Sequence, residues 1–390
     1  MPALFTRQYT PTGQSPEILL VVALITSCNI FRYSYSEPSS VDVNETYFCD
    51  LDSTGISDYQ DNPGEAAKMV SGSDCVLSSL EKIPEEMRDQ SRLELLSTAG
   101  MRILRLKAPA VAAQILGNLS LQLGLLGELE ASAAILSGVE EGVAGWVTSL
   151  QLSGQQAGAL DWGGASSQLT VPDAAGAEKV SVGGEKFSVR SSSHLCYGQA
   201  ESLNRHRARL VLSSLAQDQL NLSSSALSQN ITDPCLPAGA TTDPAELPLL
   251  FSSPCTWLAD PEQARAISAS PAMVRFTSGP DYEQCSNLIQ QQFRPHLCST
   301  TWQELPGEET CLDPATFPPP ADLEYLAMST YWYLSNGLGI AGNNVSLAEY
   351  EKLSEAVCSL NISSPTLVQI EKKYPGTSRK ACYQVRSNEV

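Results

Sequence analysis

The stretch "GALDWGGASSQLTV" spans Gly158–Val171. An apolar run ends in an acid, Asp161. Adjacent glycines, Gly163 and Gly164, follow. Ala165, Ser166, Ser167 and Gln168 then lead into "QLTV", which reads as extended. A turn with two glycines lets an anion approach the backbone, whose N–H groups can donate to it. The same pattern suits an ordinary hairpin turn, so its neighbours carry the decision. Upstream, "SAAILSG" (Ser132–Gly138) reads as a buried strand. "VEEGVAGWVTSLQL" (Val139–Leu152) sets Val143, Trp146, Val147 and Leu150 at helical spacing, with Glu140 and Glu141 at the end where the helix dipole favours acids. "RLELLSTAGMRIL" (Arg92–Leu104) is an apolar run broken by Ser97-Thr98-Ala99-Gly100, a strand entering a tight turn. Pro109 suits the first turn of a helix that "AVAAQIL" continues. Residues 92–171 therefore alternate strand and helix, the signature of an α/β layer. "STAG", "VEEG" and "DWGGASSQ" each follow an apolar strand, and ligands of such sheets sit beyond the carboxyl ends of the strands.

The chain has 390 residues, a natural length for two domains, and its hydrophobic content of 42% supplies a core. With 24 Lys+Arg against 43 Asp+Glu the net charge is −19, which argues against nucleic acid as a partner. A phosphate substrate would need a mediating cation. No G-x-x-x-x-G-K-[ST] or G-x-G-x-x-G motif is present. The 11 cysteines form no C-x-x-C pair and there are 3 histidines, so a zinc site is not expected. Dispersed cysteines suggest disulfides and an oxidising compartment. N-x-[ST] sequons at Asn44, Asn118, Asn221, Asn230, Asn344 and Asn361 agree with a secreted or luminal chain.

No apolar run reaches the roughly 20 residues of a membrane span. "ILLVVALI" (Ile18–Ile25) reads as a buried strand, continued by the alternating "IFRYSY" (Ile30–Tyr35) as a second strand, or as a short signal-peptide core. "ITSC", ending at Cys28, also has the form of a lipoprotein cleavage box. Ala66, Met69, Val70, Val76, Leu77 and Leu80 follow a helical pattern. Past Pro172 the texture becomes cysteine-, proline- and serine-rich. "TFPPPADLEY" (Thr316–Tyr325) reads as a connector and "LAMSTYWYLSNGLGI" (Leu326–Ile340) as an aromatic helix ended by Gly337. Ser346 and Glu349 form a capping-box pattern at the head of "SLAEYEKLSEAVCSL".

"STAGMRIL", "GVEEGVAGWVT" and "ALDWGGASSQLTV" resemble, in order, successive conserved regions of the ecto-nucleoside triphosphate diphosphohydrolase (apyrase) family. "HLCYGQAESL" (His194–Leu203), "SPCT" (Ser253–Thr256) and the aromatic segment at Leu326 extend the resemblance to roughly residues 40–385. It implies an α/β fold of two actin-like, RNase H-like lobes, here 1–165 and 166–390, and hydrolysis of nucleoside tri- and diphosphates with Ca²⁺ or Mg²⁺. Residue by residue, it makes Glu141 the general base. Ser166 and Gln168 position the water. Asp161, with Thr98 and a water-mediated Glu141, faces the metal. Thr98, Ala99, Gly163, Gly164, Ala165, Ser166, Ser167 and Gln168 line the phosphates, and Tyr333 stacks on the base. It also implies the disulfides Cys49–Cys75, Cys196–Cys255, Cys235–Cys285, Cys298–Cys311 and Cys358–Cys382, and a place on the extracellular face of the plasma membrane or in the secretory lumen.

The chain departs from the family at both ends. The family's first phosphate loop, D-x-G-S-[ST], precedes its second strand. Here "VVALITSCN" stands before "IFRYSY", with neither Asp nor Gly. The family's C-terminal "GW-x-LGYM-x-N"-like segment does not follow Cys382. These departures raise the expectation of an incomplete first lobe and of weakened catalysis. The alternatives are a non-enzymatic glycoprotein of the same fold and an actin-fold phosphatase acting on polyphosphate or guanosine pentaphosphate.

Overall fold

The apolar run at Ile18 is a strand. In the computed structural model β1 (Ile18–Leu24) pairs antiparallel with β2 (Ser27–Glu37), and β2 with β3 (Ser40–Asp50). On its other edge β1 pairs in parallel with β4 (Arg92–Ser97), and β4 in parallel with β5 (Glu130–Ile135). The sheet order is β3-β2-β1-β4-β5. The structure describes residues 18–24, 27–37 and 40–50 by their backbone, and 55–85, 88, 91–126, 130–182, 185–224, 228–292, 302–303, 305, 318–338, 340, 345–374, 378 and 382–383.

The helical pattern between Ala66 and Leu80 is two helices, α1 (Pro63–Ser71) and α2 (Asp74–Glu81). "GSD" at Gly72–Asp74 is the reason. The Gly72 N–H closes α1 on the Lys68 carbonyl at 2.9 Å, where a Cβ would lie 2.9 Å from that same oxygen. The Ser73 hydroxyl accepts from the Val76 N–H at 3.2 Å and starts α2. α3 (Ala99–Lys107) and α4 (Pro109–Gly124), with Pro109 in its first turn, make the crossover from β4 to β5. Val70, Val76, Leu93, Leu95, Met101, Ile115 and Leu119 are buried together where these helices meet the strands. α5 (Gly138–Ser153) follows β5 and ends at Gly154, whose φ of +66° lies in the left-handed region.

The chain then forms β6 (Gly158–Trp162), β7 (Ser166–Pro172), β8 (Glu178–Val182), β9 (Glu185–Leu195) and α6 (Gln199–Ala216). Beyond these, β10 (Gln229–Asp233), β11 (Ala245–Glu246) and β12 (Met273–Ser278) make a small sheet in the order β10-β12-β11. β13 (Tyr325–Ser329) joins a second five-stranded sheet of order β13-β6-β7-β9-β8. Both large sheets set an early strand between its hairpin partner and a strand from later in the chain: β1 between β2 and β4, β6 between β7 and β13. Packing divides the chain into two compact units, Met1–Ala159 with Gln168–Ser192, and Leu160–Ser167 with Ser193–Val390.

The aromatic segment at Leu326 is helical only from Thr330 to Leu338. Its first residues are β13, because an edge of β6 needs a partner and pairing overrides the helix preference of Leu, Ala and Met. Ser329, with φ +58°, turns the strand into the helix. Disulfides join Cys196–Cys255, Cys235–Cys285 and Cys358–Cys382, across sequence separations of 59, 50 and 24, as the resemblance implied. Closing loops of that length contributes about 3–4 kcal/mol each in the chain-entropy account. Cys75 is disulfide-bonded too. The pairing partner expected for it, Cys49, and the pair Cys298–Cys311 lie outside the described side chains. No described helix is long and apolar enough to cross a membrane.

Candidate active site

Glu141 is the fourth residue of α5, beside an acid with a different task. The Ser137 hydroxyl accepts from the Glu140 N–H at 3.2 Å, and the Glu140 carboxylate accepts from the Ser137 N–H at 2.8 Å and its hydroxyl at 2.9 Å. Glu140 is thus half of a capping box. Glu141 is left to reach inward. Its Oε2 accepts from Arg102 Nη2 at 2.6 Å and from Gln168 Nε2 at 3.1 Å. The Arg102 side chain is 1% exposed and that of Glu141 17%.

Three local structures bring these groups together. The Thr98 carbonyl accepts from the N–H groups of Met101 and Arg102, so the "STAG" turn opens α3 and delivers Arg102 one turn later. Gln168 is on β7, where Ser166, Gln168 and Thr170 alternate onto one buried face. Gly142 allows α5 to approach that face. A Cβ there would lie 2.3 Å from Ser191 Oγ, 2.8 Å from Thr170 Oγ1 and 3.3 Å from Gln168 Cβ. The two hydroxyls are bonded to each other at 2.7 Å, so neither can turn away without loss. Gly142→Ala should therefore cost about 1–3 kcal/mol, as overpacking does. A urea midpoint unchanged from wild type would contradict it.

The quoted stretch folds as strand, loop and strand. The Gly163 N–H closes the loop on the Ser166 carbonyl at 3.0 Å. The Gly163 carbonyl accepts from the Gln199 N–H, that of Gly164 from Ala200, and that of Ala165 from Cys196, each at 2.8 Å. Gly198 lies directly against the loop. Asp161, on β6, accepts a hydrogen bond from Ser329, while its buried Oδ1 has no hydrogen-bond partner among the described residues. Burial raises the Asp161 carboxyl above the usual carboxylate range, against the smaller opposing effect of Ser329. Burial, with the nearby Asp161 charge, pushes the Tyr331 hydroxyl up to about 12. A desolvated carboxylate oxygen lacking a donor suits a hydrated divalent cation, so the residues fit that group.

Among the residues picked from the sequence, Glu141 and Gln168 are in direct contact. Thr98 and Ala99 form the start of α3, and Asp161, Gly163, Gly164, Ala165, Ser166 and Ser167 make the β6–β7 turn. Tyr333 is 55% exposed, with its ring 5.4 Å from Trp332 and 5.7 Å from Tyr374, so it is no core aromatic. Arg102, Gly198 and Ser329 were not singled out from the sequence. His206, Asp233 and Cys235 cluster closely enough to suggest a metal site, but the Cys235 sulfur is held by Cys285. His206 Nε2 lies 2.9 Å from Asp233 Oδ1, a buried structural pair.

The sequence pattern of the GDA1/CD39 (nucleoside phosphatase) family matches residues 23–386. The chain belongs to the GDA1/CD39 family. As a family member it is 29% identical over 340 residues to mouse ectonucleoside triphosphate diphosphohydrolase 3, an alignment covering 81% of this chain and 59% of the relative. It is 29% identical over 350 residues to human ectonucleoside triphosphate diphosphohydrolase 2, covering 84% and 64%. The GDA1/CD39 chain described here thus spans about three-fifths of the length of these relatives. Its structure resembles that of a nucleoside triphosphate hydrolase from Neospora caninum, with a TM-score of 0.60 at 14% identity over 96% of this chain and 85% of that one. This likeness bears out the α/β nucleoside phosphatase fold implied by the sequence resemblance.

Proposed function

We propose that this GDA1/CD39 chain hydrolyses nucleoside tri- and diphosphates to the monophosphate and phosphate. The observation that carries the proposal is the Glu141 carboxylate, oriented by Arg102 and Gln168, both of which donate to its Oε2. Phosphoryl transfer to water needs a placed water, a base and charge neutralisation, and little covalent work from the protein. In the proposed reaction the water oxygen attacks the terminal phosphorus and the phosphoanhydride bond breaks toward the leaving nucleotide. Glu141 takes the proton from that water. Ser166 and Gln168 orient the water, and the amides of Gly164 and Ala165 donate to phosphate oxygens. A bound Ca²⁺ or Mg²⁺, for which the resemblance implies Asp161, Thr98 and, through water, Glu141 as holders, would supply charge neutralisation on the phosphates. Tyr333, an exposed aromatic, offers a face for the base. The disulfides and sequons support a place in the secretory lumen or outside the cell.

A specific observation favours a second reading, a weakened or non-catalytic member of the fold. Between β1 and β2 stand only Ile25 and Thr26, where the resemblance calls for an acid and a glycine. Phosphate release from ATP, ADP and polyphosphate, each with and without Ca²⁺, decides between the readings. Cation-dependent release from both nucleotides is the expected result. No release from any substrate would support the non-catalytic glycoprotein, and release from polyphosphate alone would support the polyphosphatase alternative.

A further inference from the structure

The first amides of an α-helix have no acceptor within the helix and usually find one in a capping side chain. Gly198, the N-cap residue just before α6, has no side chain to offer, and the helix has no side-chain cap. Its acceptors come from the β6–β7 turn. Gln199 donates to the Gly163 carbonyl at 2.8 Å, and Ala200 and Glu201 donate to the Gly164 carbonyl at 2.8 and 3.2 Å.

Peptide geometry turns this cap into a directional device. In a planar trans peptide the N–H points opposite to the C=O of the preceding residue, and no peptide bond among the described residues is cis. The Gly163 carbonyl shares its plane with the Gly164 N–H, and the Gly164 carbonyl with the Ala165 N–H. Because α6 holds both carbonyls, both N–H groups are turned away from it. Among the described residues neither has a backbone acceptor. The contact is too close for adjustment. A Cβ at position 198 would lie 2.2 Å from Ala165 N, 2.4 Å from the Gly164 carbonyl carbon and 2.4 Å from Ser166 N, all backbone atoms.

We propose that the first turn of α6, Gly198 to Glu201, is a positioning element that aims the amides of Gly164 and Ala165 at a phosphoryl oxygen. It rests on the phosphate-binding reading of this turn, and adds that the helix start acts through the turn rather than on the ligand.

Two substitutions in the full chain separate the backbone from the side chain. Proline is tolerated at the first helical position, and Gly198, at φ −68° and ψ 159°, already has the extended shape required of a residue before proline. Gln199→Pro deletes the amide that holds the Gly163 carbonyl. Gln199→Ala deletes the side chain alone. With ATP as substrate, Gln199→Pro should have a KM at least about tenfold above that of Gln199→Ala, the factor expected for about 1.4 kcal/mol, at a similar melting temperature. Equal KM and kcat in the two variants would overturn the proposal. If wild-type chain releases no phosphate, the nucleotidase reading fails by itself, and the amide ¹H–¹⁵N signals of Gly164 and Ala165 become the readout during titration with inorganic phosphate. They should shift in wild type and Gln199→Ala and stay fixed in Gln199→Pro; no shift in wild type overturns the proposal. Gly198→Ala should behave as Gln199→Pro does, and if it fails to fold the Gln199 pair still decides.

Discussion

Glu141→Gln should lower the rate of phosphate release from ATP by about 10²–10⁴-fold, the range over which a positioned general base contributes. The amide keeps an oxygen for the Arg102 and Gln168 donors, so the local geometry has little reason to change. What is lost is the ability to accept a proton. Glutamine is a better test than alanine here, since alanine would also remove an acceptor from the buried guanidinium. Initial rates at saturating ATP with Ca²⁺, beside a melting curve for each protein, make the measurement. A variant within about threefold of wild type would remove Glu141 from the role of base.

Arg102→Ala should destabilise the fold by about 3–5 kcal/mol, because it breaks an ion pair whose cationic side chain is almost wholly buried. The cost has two parts. Glu141 loses its shortest donor, at 2.6 Å, and the space of a large buried side chain is left behind. Urea unfolding would read it as a lower midpoint at constant slope. The double change Arg102→Met with Glu141→Gln should recover much of that loss, since neither charge is then left alone. A loss under about 1 kcal/mol for Arg102→Ala would mean that water replaces the pair, as at exposed sites.

Much of this was legible before any coordinates. Alternation of apolar runs with helical spacing located β4, β5, α5 and β6, because each is a local pattern. Ser137-x-x-Glu140 was legible in principle as a capping box, and it separates the structural acid of "EEG" from the inward-facing one. Arg102 was not legible. "AGMRILRLK" holds three basic residues, and only the packing of α3 selects one of them for burial. Gly198 was hidden for a related reason. A glycine before a helix reads as an ordinary N-cap, and the backbone that presses on it comes from residues more than thirty positions away in sequence. β13 was misread as helix because its conformation is imposed by the strand beside it.

Cys196 ties the loop to the chain's redox history. Its backbone N–H holds the Ala165 carbonyl, its φ of +75° is unusual for a residue with a side chain, and its sulfur is anchored to Cys255. A disulfide thus secures the residue on which the third carbonyl of the turn depends. In a reducing environment the same sequence would present that turn with one of its moorings loose. Maturation of the turn is then coupled to oxidative folding, and the population of correctly formed loops in a preparation would fall as its content of free thiol rises.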